Sequence, residues 1–90
     1  MHIRLATGTT LTNVEGKDVL FSVKSGDSYG LNETAARMLR LGLEADLNEA
    51  INQLAAEYGA ERQEIQADFE ELVRELVQLK FVQAVSSQGG

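Results

Sequence analysis

The chain has no cysteine, no proline and no tryptophan, and a single histidine, His2. Without cysteine there is no disulfide to support the fold and no thiol nucleophile, and the cytoplasm is the expected compartment. The lone histidine leaves a zinc site without its usual ligands, since such a site gathers three or four convergent His, Cys or carboxylate groups. Ser- or Cys-based nucleophilic catalysis likewise lacks its base. No run approaches the ~18 consecutive apolar residues of a membrane helix. The opening Met1-His2-Ile3-Arg4-Leu5 lacks the apolar stretch of a signal peptide. The glycines form neither a P-loop nor a dinucleotide-binding turn. No enzyme activity, cofactor or metal is therefore expected.

What is present is enough for one domain: 90 residues, 43% hydrophobic and 24% charged. The expected boundaries are a folded domain over residues 1–85 and a small, flexible tail over 86–90. Charge is divided unevenly. Residues 1–40 hold Arg4, Lys17, Lys24, Arg37 and Arg40 against four acids. Residues 41–90 hold Arg62, Arg74 and Lys80 against ten, so the halves carry +1 and −7. The acidic half repels phosphate backbones and anionic membranes, so neither nucleic acid nor membrane is expected as a partner.

The first third reads as strands. Thr9 to Val14 is threonine-rich, and Glu15-Gly16-Lys17 follows as a turn. Asp18 to Lys24 alternates, with Val19, Phe21 and Val23 on one face and Leu20, Ser22 and Lys24 on the other. Ser25-Gly26-Asp27 turns again into a short third strand, Ser28 to Leu31. Tight connections of this kind favour an antiparallel meander. His2 is expected in a frayed terminus.

The remainder reads as three helices. Asn32 caps the first, which runs to about Gly42. Asp46 caps the second, with Glu49 completing a capping-box pattern and Gly59 as its stop. Its apolar face is Leu47, Ile51, Leu54, Ala55 and Tyr58. The third runs from near Glu61 to about Leu79, with a buried stripe of Ile65, Phe69, Leu72, Leu76 and Leu79. Val73 and Val77 widen that stripe. Either they complete the core or they offer apolar surface to a partner. Glu64, Asp68 and Glu71 lack the alternating-oxygen loop of a calcium site and read as a solvated face. The fold class expected is α+β, a winged helix-turn-helix-like domain in which a three-stranded antiparallel sheet precedes three helices.

That topology raises DNA binding as an alternative. The recognition helix, however, would open on Glu61, Arg62, Gln63, Glu64 and later Asp68, one cation among three carboxylates. A generic protein-interaction domain is a further alternative. The short third strand leaves a sheet edge that can accept a partner strand.

Several runs resemble the PqqD-like family. Ser28-Tyr29-Gly30-Leu31-Asn32-Glu33-Thr34-Ala35 is similar to its strand-into-helix signature. Leu54 to Gly59 is similar to the end of its second helix, Asp68-Phe69 through Leu76 to its third, and Lys80-Phe81-Val82 to its apolar ending. The resemblance spans about residues 8 to 83. It implies a recognition element for ribosomally made, modified peptides, which binds the leader of a precursor peptide and delivers it to a modifying enzyme or leader peptidase. It also implies how: the leader adds as a strand along Ser28, Tyr29, Gly30 and Leu31. Its side chains then enter a groove formed by Phe69, Leu72, Val73, Leu76 and Val77. Pyrroloquinoline quinone synthesis and lasso-peptide pathways both use such discrete domains. The long acidic third helix leans the reading toward lasso leaders, which often carry lysines.

Overall fold

Thr9 to Gly30 forms the expected meander. In the computed structural model, which describes residues 2–85, β2 (Thr9–Val14), β3 (Lys17–Ser22) and β4 (Ser28–Gly30) pair antiparallel in that order. The tail expectation for 86–90 lies outside the described residues. Glu15 and Gly16 both have positive φ, 52° and 84°, and Val14 pairs with Lys17. This is the two-residue hairpin whose backbone matches strand twist. The Asn13 side chain accepts from the Gly16 N–H at 3.1 Å and holds the turn.

Three helices follow: α1 (Glu33–Glu44), α2 (Leu47–Tyr58) and α3 (Arg62–Gln78). Asn32 caps α1 by accepting from the Ala35 N–H at 2.7 Å, and Asp46 caps α2 by accepting from Asn48. Gly59 ends α2 with φ 62°, a left-handed cap that glycine adopts without strain. Glu61 makes no side-chain cap bond to α3. Arg62 anchors that end instead, donating to Asn52 and Asn48 of α2 and to Gln66 of α3.

The α+β, winged-helix-like reading holds, and the sheet content is larger than expected. β1 (His2–Leu5) and β5 (Val82–Val85) form a second, two-stranded antiparallel sheet in the register His2↔Val85 to Leu5↔Val82. His2 is thus paired rather than frayed. Each strand is too short to show a period, and its partner lies at the opposite end of the chain. Ile3 and Val82 from this pair are buried in the core with Leu20, Leu39, Leu54, Phe69 and Leu76.

Two helical stripes differ from expectation. Tyr58 is exposed at the end of α2. On α3 the buried residues are Ile65, Phe69, Val73 and Leu76, whereas Leu72 is half-buried and Leu79 is 48% exposed. The helix is turned so that Val73 faces inward and Leu72 and Leu79 lie at its margin. The reason is the packing partner: α2, tied to α3 through Arg62, claims the flank that carries Gln66 and Val73.

Candidate functional site

The site begins at an unpaired strand. β4 pairs only with β3, in the register Val19↔Gly30, Leu20↔Tyr29 and Phe21↔Ser28, so its other side is open. Leu31 N–H donates to the Asp18 carbonyl and Ser22 N–H to the Asp27 carbonyl, both at 2.9 Å. Hydrogen-bonded pairs alternate along an antiparallel ladder. The backbone groups of Tyr29 therefore face β3, and those of Ser28 and Gly30 face the open side.

Side chains alternate in the same way. Tyr29 shares the inner face with fully buried Leu20. Its hydroxyl donates to Glu75 Oε2 at 3.1 Å, and its ring stands 6.0 Å from that of Phe81 at 58°. Tyr29 thereby bridges β4 to α3. Burial, and then the Glu75 carboxylate, push its phenol pKa up.

Residues three and four positions from Glu75 share its flank of α3. That flank carries Leu72 and Leu79 as apolar groups and Glu61, Glu64, Asp68, Glu71 and Glu75 as a continuous line of exposed carboxylates. The open edge of β4 thus lies beside a helix flank with an apolar margin and an acidic rim.

The residues expected from sequence separate into three groups. Ser28, Tyr29, Gly30 and Leu72 are accessible, or partly so, along this gap. Leu31, Phe69, Val73 and Leu76 are buried core, and they support β4 and α3 from beneath. Val77 is 38% exposed but lines a different cleft, of about 530 Å³, with Leu47, Ile51, Phe69, Val73 and Ala84. The structure does not bring Val77 together with β4.

Two features were missed. Glu75 and Leu79 flank the gap, and their i±3/4 relation to Leu72 was the available signal. Asp18 is buried at the start of β3, where it accepts from Arg40 Nε and Nη2 at 2.9 Å each and from Asn13 at 3.0 Å. An acid in phase with Leu20 and Ser22 was its sequence mark. The Arg40 hydrogen bonds, followed by that of Asn13, hold its carboxyl at about 2. With Leu31 N–H on its carbonyl, Asp18 fixes the β4–α1 junction to β3 and α1. A polar cleft of about 800 Å³ beside it also holds the bidentate Arg37–Glu57 pair. Among the described residues no group of three or more His, Cys, Asp or Glu side chains could hold a metal ion. No helix among them is long and apolar enough to cross a membrane.

Comparison with known proteins bears on this geometry. A solved lasso peptide synthetase B1, complexed with the leader peptide, is 25% identical. It superposes with a TM-score of 0.87 over 93% of this chain and 100% of its own. TbiB1, in complex with the TbiA(beta) leader peptide, is 19% identical, with a TM-score of 0.83 over 93% of this chain and 99% of its own, a likeness of fold. No curated protein matches by sequence. The family described as coenzyme PQQ synthesis protein D (PqqD) matches residues 18–82, well over half the chain, and the protein belongs to that family.

Proposed function

We propose that the protein binds the leader region of a ribosomally made precursor peptide, without catalysing a reaction itself, and delivers it to a modifying enzyme or leader peptidase of the same pathway. The leader adds as a strand to β4, with its inward side chains between Tyr29 and the Leu72–Leu79 flank of α3. The observation that carries this reading is the open edge of β4 beside that flank, in a fold shared along its full length with a protein solved with its leader bound. Strand addition supplies register through the Ser28 and Gly30 backbone, and the apolar margin supplies selection. Phe69, Leu76, Val73 and Leu31 act from below by holding the two walls in place. The carboxylate line favours leaders with lysine or arginine and speeds their association. The full-length likeness to a lasso component favours a lasso-peptide pathway over pyrroloquinoline quinone synthesis.

The test is an NMR titration with the leader of a precursor encoded beside the protein. The Ser28 and Gly30 amides should gain exchange protection, and the peptide should adopt extended shifts. N-methylation of the leader amides that face β4 should abolish binding with every side chain kept. A helical bound peptide, or shifts confined to the cleft around Val77, would count against strand addition.

A further inference from the structure

Gly30 has no purpose in the free chain. It lies in the β4 edge strand and is not among the glycines with positive φ. A Cβ built on it meets nothing within 4 Å. Neither conformation nor packing calls for glycine, although glycine in a strand forfeits stability relative to almost any side chain. Such a glycine marks a place where another group approaches closely.

The surroundings identify the group. Gly30 pairs with Val19 and Ser28 with Phe21, so these four residues share the outer face of the sheet, opposite Tyr29 and Leu20. Val19 is half-buried, Phe21 is 40% exposed, and Val23 at the end of the same row is 65% exposed. Large apolar residues on an exposed sheet face flank a strip of backbone that bears only a hydrogen and a hydroxymethyl group. A strand added to β4 directs alternate side chains onto this face. A large side chain beside Gly30 can lie across the bare backbone and reach Val19 and Phe21, as aromatics cover glycines across sheet strands.

We propose that Gly30 is a specificity-determining notch on the outer sheet face. It receives one aromatic or long branched apolar residue of the bound strand, which packs over Gly30 against Val19 and Phe21. The inference rests on strand addition at β4 and adds a second site of side-chain reading, on the face away from α3. The ligand is therefore read from both sides, through inward residues at α3 and one outward residue at Gly30.

The test is a selection of displayed random peptides against the wild-type protein, Gly30→Val and Phe21→Ser, with folding followed by urea denaturation. Gly30→Val should keep or raise the urea midpoint, because its side chain enters open space on a strand. Wild-type binders should share one large apolar residue that spin-label NMR places beside Gly30, and Gly30→Val should bind them about tenfold or more weakly. Phe21→Ser should relax the preference at that position alone. A Gly30→Val protein that selects the same consensus with equal affinity would overturn the notch and leave strand addition standing. Unfolding of Gly30→Val would also overturn it, since the fold would then need the glycine. Wild-type binders that leave the Ser28 and Gly30 amides unshifted would overturn strand addition itself.

Discussion

Leu72 and Val73 are neighbours in sequence with opposite roles, and one pair of substitutions separates them. Val73 is 8% exposed within the core. Val73→Asp buries a carboxylate without a partner, so it should destabilise the fold by roughly 3 kcal/mol or more and leave largely unfolded protein by circular dichroism. Leu72 is half-buried at the margin facing β4. Leu72→Asp should stay folded and weaken leader binding about ten- to a hundredfold in a fluorescence-polarisation titration, because the carboxylate is desolvated beside the peptide. Asp18 gives a prediction in pH. Its folded pKa of about 2 lies below the ordinary 3.8. Its stabilising contribution is therefore complete above the unfolded value and is lost as pH falls from about 4 toward 2. Urea midpoints across that range should fall less steeply for Asp18→Asn, which is less stable at neutral pH but lacks the titration.

At the scale of the element, α1 and α3 meet over a glycine. A Cβ at Gly42 would stand 2.9 Å from both Ile3 Cδ1 and Phe69 Cζ. Helix propensity alone assigns Gly42→Ala a gain of about 1 kcal/mol. Overpacking against the fully buried Phe69 ring costs about 1–3 kcal/mol, so the net effect should be a loss on the order of 1 kcal/mol. A chemical-denaturation midpoint above wild type would show that the ring yields freely. The same packing places the groove: α3 is held inward at Phe69 and sideways by Arg62, and its remaining flank meets β4 only through the Tyr29–Glu75 bond.

Across the whole molecule, the two chain ends are clamped together. β1 and β5 pair beneath α1 and α3, with Ile3 in the core and in contact range of Gly42. Ile3→Ala should cost roughly 2–5 kcal/mol, a large share of a small domain's stability, as read from a urea midpoint. Charge also acts at this scale. The carboxylates of α3 project a negative field past the open edge of β4, which opposes the phosphate contacts a DNA-reading helix needs. For a basic leader, rising salt should slow association in stopped-flow while leaving dissociation nearly unchanged, since screening acts on the approach more than on the closed contact.

The sequence by itself determined the meander, the three helices and their caps, because turns, N-caps and period-2 or period-3.6 alternation are local properties of Asn32, Asp46, Gly16 and their neighbours. It also carried the acidic charge of α3 and the strand that ends the sheet. Only the tertiary structure decided three things. β1 found β5 because two four-residue strands become strands by pairing with each other across the length of the chain. Val73 turned inward and Leu72 outward because α2 and β4 divide the surface of α3 between them, a partition that a helical stripe two residues wider than its core leaves open. Gly30 became a notch because the register of β3 sets Val19 and Phe21 on its face, and nothing within the strand Ser28–Gly30 encodes that neighbourhood.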